Sequence, residues 1–169
     1  YTLYDETGKE IAYNKYLLSL KDLNLSESIG DLVAAGVTSF KIEGRLKDED
    51  YIKNIVSTYR RRIDEFIIAN PGYGRSSAGK TEFTFTTDPS CTFNRGYTNH
   101  FLYKRQKDIL SPVSAKSSGK LLGKVSHITG SAFSLDSPVL LHAGDGICFT
   151  DVRGHFHGTR NVKLSARSI

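Results

Sequence analysis

The chain has 169 residues, 38% of them hydrophobic and 24% charged, with a formal net charge of +5. A chain of this length forms one domain or two small ones, and its apolar and aromatic content excludes a disordered tail. No apolar run approaches the ~20 residues that span a bilayer, and no basic-then-apolar segment opens the chain. Cys91 and Cys148 form neither a disulfide framework nor a CxxC site, so a reducing cytoplasm is the expected compartment. A chain that opens on Tyr1 and holds no methionine is expected to be a processed product or an excised piece of a longer protein.

The charge is uneven. Residues 1–70 carry 10 Lys+Arg against 12 Asp+Glu, a net of −2, whereas residues 71–169 carry 13 against 6, a net of +7. A basic half is the usual footprint of a polyanionic partner, although a basic surface also serves solubility alone.

In chain order, Tyr1–Asp5 and Ile11–Tyr13 flank Glu6-Thr7-Gly8-Lys9 and predict a hairpin. Tyr16–Leu20 reads as a buried strand. Ser26 is placed to cap a helix whose apolar face is Ile29, Leu32 and Val33, stopped at Gly36. Val37–Gly44 reads as a strand by its β-branched and aromatic content. A long helix follows, with Asp48, Glu49 and Asp50 at its positive end and Arg60, Arg61 and Arg62 toward the other. Its apolar positions Ile52, Ile55, Val56, Tyr59, Ile63, Phe66 and Ile67 keep helical spacing, and Asn70-Pro71-Gly72 ends it. Two strand–helix units in succession build parallel sheets but are too few to close one.

Residues 72–80 are Gly/Ser-rich and read as a linker; Gly79-Lys80-Thr81 lacks the spacing of a phosphate loop. Thr81–Thr87 alternates as a strand does. After a second soft stretch at 111–119, short strands are expected at 121–128, 132–135, 139–141 and 146–150. Turns fall at Thr129-Gly130-Ser131, Ala143-Gly144-Asp145 and Asp151–Gly154, the spacing of a small β-barrel or sandwich.

The segment Phe40-Lys41-Ile42-Glu43-Gly44-Arg45 carries the most chemistry. Strand geometry puts Phe40 and Ile42 on one face and Lys41 and Glu43 on the other. A central parallel strand is ordinarily apolar on both faces. A parallel barrel accounts for the polar face, because inward residues at its C-terminal strand ends build active sites; an edge strand with a solvated face is the alternative. Lys21 and Asp22 end the preceding strand in the same polar way, Asp22 reading as a loop cap. Arg95 and Tyr97, within Phe93-Asn94-Arg95-Gly96-Tyr97-Thr98, combine a cation with aromatics that can hold phosphate and stack bases; an ordered turn packed by its aromatics is the alternative. His155 and His157 can share a strand face, with His142 and Cys148 nearby, yet no second close pair accompanies them. They read as a wet hairpin, and no metal site is expected.

Tyr16-Leu17-Leu18-Ser19-Leu20-Lys21-Asp22-Leu23, Ala35 through Arg45, and Tyr51 through Arg60 resemble the second half of the collagenase-like peptidase family U-32. The resemblance covers residues 1 to about 105, with Phe93–Thr98 included; the remainder resembles the family's trailing β domain at Ala143-Gly144-Asp145-Gly146-Ile147. It implies an α/β fold that is the end of a TIM-type parallel barrel (βαβα) followed by a small β-barrel-like domain. The boundaries are then 1–70 for the barrel units, 71–118 for a linker and connecting segment, and 119–169 for the basic β domain. Family members are described as proteases, some linked to collagen degradation. Others look like proteins that hydroxylate RNA pyrimidines with a cysteine-bound iron–sulfur cluster.

The implied function is a C-terminal part of an RNA base hydroxylation protein, acting on ribosomal or transfer RNA. A genuine peptidase and a non-catalytic RNA-binding or assembly module are the alternatives. Glu43, Lys41 and Arg45 are the expected catalytic residues, and Lys21, Arg95 and Tyr97 the expected substrate-binding ones. The family's signature cysteines would lie upstream of Tyr1, so any cluster belongs to the parent protein and no cofactor is expected in this chain. Expected partners are an RNA or polypeptide substrate, the N-terminal half of the parent, and another copy of the chain at an exposed sheet edge, with no membrane. Alone, the chain is expected to be inactive.

Overall fold

The structure is a computed structural model that describes residues 1–159; the last ten residues of the expected 119–169 domain lie outside the described residues. The expected hairpin forms from β1 (Leu3–Tyr4) and β2 (Glu10–Ala12). Asp5 closes its turn: one carboxylate oxygen accepts from the Thr7 and Lys9 amides, both at 2.9 Å. The strand expected at 16–20 is displaced. Leu20 makes one antiparallel bridge to Leu110, and the strand proper, β3, is Asp22–Leu23.

A 3₁₀ turn at Ser26–Ser28 runs into α1 (Ile29–Ala34). Ser26 makes no capping bond with its side chain; instead the Asn24 carboxamide accepts the Ser26 amide at 3.0 Å. Gly36 stops the helix as expected. It sits at φ +96, where a Cβ is disfavoured, and its amide and that of Val37 return to the carbonyls of Val33 and Leu32.

The strand expected at 37–44 is not formed, because among the described residues no backbone lies alongside to pair with it. Its alternation survives all the same: Phe40 and Ile42 are half-buried while Ser39, Lys41 and Glu43 are exposed. Side-chain pattern sets the faces of an extended segment, but a ladder needs a neighbour.

The long helix, α2 (Glu49–Ala69), is capped by the Asp48 carboxylate on the Tyr51 amide at 2.8 Å. Arg60–Arg62 lie mid-helix rather than in its last turn. Two of them are paired: Arg60 with Asp64 four residues on, and Arg62 with Glu65 on the same helix and with Glu27 of the 3₁₀ turn before α1. The buried face runs through Asn54, Ile55 and Thr58, whereas Ile52 and Val56 of the apolar stripe are exposed.

Thr81–Thr87 forms no strand. The 3₁₀ turn Pro89–Cys91 instead packs on α2. Asn54 makes the joint: its Nδ2 donates to the Asp88 carbonyl at 2.6 Å and its Oδ1 accepts the Asp88 amide at 2.9 Å. Such a reciprocal pair satisfies a buried carboxamide and a loop backbone together. β4 (Tyr97–Thr98) then pairs in parallel with β3.

Two further hairpins follow, β5 (Lys124–Thr129) with β6 (Ala132–Asp136), and β7 (Ile147–Thr150) with β8 (Phe156–Thr159). Both turns lie where the sequence places them; no strand forms at 139–141. Each sheet among the described residues has two strands, and none closes into a barrel. Among the described residues the buried apolar side chains are Ile29, Ile55 and Ile147. No described helix is long and apolar enough to cross a membrane.

Candidate functional site

The two-stranded parallel sheet organises the candidate site. Asp22 and Tyr97 stand opposite each other in register, as do Leu23 and Thr98. The Asp22 carboxylate accepts the backbone amide of Arg95 at 2.8 Å and grips its guanidinium twice, from Nη2 at 2.8 Å and from Nε at 3.3 Å. Such a fork is the strong form of an ion pair because both partners are planar and aligned. Asp22 is therefore an anchor across 73 residues of sequence and caps no helix.

Around Arg95 the turn is built by Asn94, 2% exposed, whose Nδ2 donates to the carbonyls of Ser90 and Thr92 and whose Oδ1 accepts the Gly96 amide. Gly96, at φ +83, lets the chain reverse into β4. The Phe93 ring carries Lys47 Nζ 3.2 Å from its centroid, with the Arg95 guanidinium 5.8 Å away. Two cations on one ring are tolerable because the ring face is negative and Asp22 balances the arginine.

The other predicted residues divide into engaged and exposed. Lys21 Nζ donates to Asp108 at 2.6 Å. Tyr97 donates its hydroxyl to the Pro89 carbonyl at 2.8 Å; burial, with Tyr51 and Asp22 adding to it, pushes that phenol well above its ordinary range. The structure thus gathers Lys21, Arg95 and Tyr97 at the β3–β4 sheet. Lys41, Glu43 and Arg45 lie exposed on the segment leading to α2. Glu43 Oε1 accepts the Arg45 amide at 2.9 Å, leaving Oε2 available. Leu46 follows at φ +61, a left-handed conformation that is unfavourable for a leucine and is found where loops are held under constraint. Burial raises the Tyr51 phenol first, and Asp22, Tyr59 and Glu43 raise it further by charge.

Sequence reasoning missed Tyr16. Read as part of a buried strand, it is 53% exposed. With Leu18, Ser19, Ala115 and Arg95, it lines a cleft of about 250 Å³. A tyrosine face beside a fixed guanidinium can stack a planar ring and hold an anionic group. Its only sequence signal is a tyrosine beginning an otherwise aliphatic run.

Residues 1–111 match the pattern of Peptidase family U32. The chain belongs to peptidase family U32. The U32 chain is 40% identical over 147 residues to the 23S rRNA 5-hydroxycytidine C2501 synthase of Escherichia coli, a match covering 87% of this chain and 22% of the relative. It is 28% identical over 159 residues to a collagenase of Porphyromonas gingivalis, covering 89% of this chain and 37% of that protein. A third relative, tRNA hydroxylation protein P1 of Bacillus subtilis, is 45% identical over 51 residues, 30% of this chain and 12% of the relative. The chain thus spans between about an eighth and somewhat over a third of these relatives' lengths. No solved structure matches it.

The cysteines of the chain do not fit an iron–sulfur cluster. Two thiols fall short of the four-cysteine set that clusters ordinarily use. Burial, with the Asp88 carboxylate beside it, also pushes the Cys91 thiol up, away from the thiolate that a metal takes.

Proposed function

We propose that this chain is part of a U32 protein that hydroxylates a pyrimidine of ribosomal or transfer RNA in the cytoplasm, and that its surface around Arg95 receives the RNA. The observation that carries this reading is the graded identity: over a like share of the chain, the ribosomal RNA synthase is clearly more similar than the collagenase. The chemistry of the surface supports it. Arg95 is held by Asp22 with its outer edge left for a phosphate, Tyr16 offers a ring face for a base, and Lys41 and Arg45 add exposed positive charge on the segment leading to α2.

In this reading Lys21 and Tyr97, both engaged within the chain, position the β3–β4 sheet while Arg95 contacts substrate. Glu43, with Oε2 available, is the proton acceptor, and Lys41 and Arg45 hold the phosphate beside it. Residues 1–70 supply the closing βα units of a TIM-type barrel, and the basic region after residue 118 adds electrostatic contact. Any iron–sulfur cluster would be held by cysteines elsewhere in the full-length protein, and no step is assigned to one here.

Mass-spectrometric mapping of ribosomal and transfer RNA tests the function. Cells lacking the gene should lose one hydroxylated pyrimidine, and full-length R95A should restore less than a tenth of it. Unchanged RNA modification in the deletion strain would overturn the reading. Loss of collagen cleavage with unchanged RNA would establish the peptidase instead.

A further inference from the structure

The β7–β8 hairpin lies beyond the U32 match and takes no part in the Arg95 surface. Its turn is closed by Asp151, and the two oxygens of that carboxylate have separate jobs. Oδ1 accepts the backbone amides of Arg153 at 2.9 Å and His155 at 2.8 Å, which fixes the carboxylate to the turn. Gly154, at φ +81, makes so tight a reversal accessible. Oδ2 faces two imidazoles, with His157 Nε2 at 3.0 Å and His155 Nδ1 at 3.3 Å. The three donor atoms lie within 4.8 Å of one another.

We propose that Asp151, His155 and His157 form a binding site for a divalent first-row transition metal ion. Metal–nitrogen and metal–oxygen bonds in such sites are about 2.0–2.2 Å. Two donors at that distance, subtending 90–109° at one ion, stand about 2.9–3.4 Å apart. The two oxygen–nitrogen separations in the hairpin already fall on that edge, and a turn of the exposed His155 ring brings the two imidazole nitrogens, now within 4.8 Å, to the same spacing.

The surroundings suit a ligand set. His157 stacks on Phe149, its cross-strand partner, with centroids 5.2 Å apart and planes 24° from parallel, so its ring is oriented before an ion arrives. His155 and His157 are 67% and 47% exposed in their side chains, which leaves a path for entry. Two imidazoles and one carboxylate select zinc, cobalt, nickel or copper over magnesium and calcium, which prefer all-oxygen shells. With three protein donors, water fills the remaining positions.

Titration of the 169-residue chain with Co²⁺ alone tests the site, read by visible absorption and by the histidine ring resonances in NMR. One equivalent should bind, displaced by Zn²⁺ but not by a hundredfold excess of Mg²⁺, with His155 and His157 resonances the most strongly perturbed. H155A, which removes an exposed ring outside β8, and D151N, which keeps an oxygen for the turn, should each weaken binding at least tenfold. H127A, in β5, should leave it unchanged. Binding that changes less than twofold in both H155A and D151N, or that H127A weakens equally, would overturn the proposal and leave the cluster as an ordinary histidine–aspartate hydrogen-bonded turn.

Discussion

Residues 1–118 and residues 119–159 are held together in different ways. In the first region, distant segments grip one another through polar side chains that reach backbone: Asn54 holds Asp88, Asp22 holds Arg95, and the Tyr59 hydroxyl accepts the Leu25 amide at 2.9 Å. In the second, each hairpin closes on itself through a turn, and Ile147 is its buried apolar side chain among the described residues. The comparison teaches that long-range order here depends on a few satisfied polar joints, because little apolar surface is buried in either region. Lys120, at the start of the second region, ties back to Asp88 at 2.7 Å.

The largest effect should come from breaking the joint of the first region. Asn54→Ala removes two hydrogen bonds and strands the Asp88 amide, while the Asp88 carbonyl keeps the Cys91 amide at 3.0 Å, costing about 3 kcal/mol. Urea unfolding followed at α2 should show it, while exchange protection in the β7–β8 hairpin stays unchanged. Loss of that protection as well would erase the distinction between the regions. The converse change, Ile147→Ala, should cost about 2 kcal/mol in the local stability of β7–β8 by hydrogen exchange, with the α2 transition unmoved.

The tie between the regions is pH-dependent. Burial pushes the Asp88 carboxyl up, but the Lys120 ammonium, the Ser90 hydroxyl and amide and the Cys91 thiol outweigh burial and hold it at about 2. A carboxylate depressed in the folded state adds stability that is complete above its unfolded value near 4 and fades as pH falls toward 2. Acid unfolding should therefore steepen between pH 4 and 2, and Lys120→Met should flatten that step. An unchanged profile in this variant would show that the two regions are not joined through Asp88. The smallest expected effect is a gain: Leu46→Gly relieves a left-handed leucine that is 97% exposed, stabilising the first region by about 0.5–1 kcal/mol in thermal unfolding.

Much of the local structure was legible in the residues. Turns announced by Gly8, Gly130 and Gly154, the stop at Gly36 and the acidic first turn of α2 each depend on neighbours within a few positions, and each forms where expected. The strands at 37–44 and 81–87 did not, because alternation prescribes faces but supplies no partner ladder. The candidate site was half visible. Arg95 and Tyr97 were found by type and spacing, whereas the Asp22 partner of Arg95 and the cleft with Tyr16 come from segments far apart in the chain.

By itself, then, the sequence determined the charge division, the helix and turn positions and membership in the U32 family, all of which rest on local chemistry or on strings of adjacent residues. Tertiary structure alone decided that Asp22 anchors Arg95 and that Asn54 joins α2 to residue 88. Each of these depends on a side chain reaching a group that the fold brings within about 3 Å, a distance that spacing along the chain does not encode.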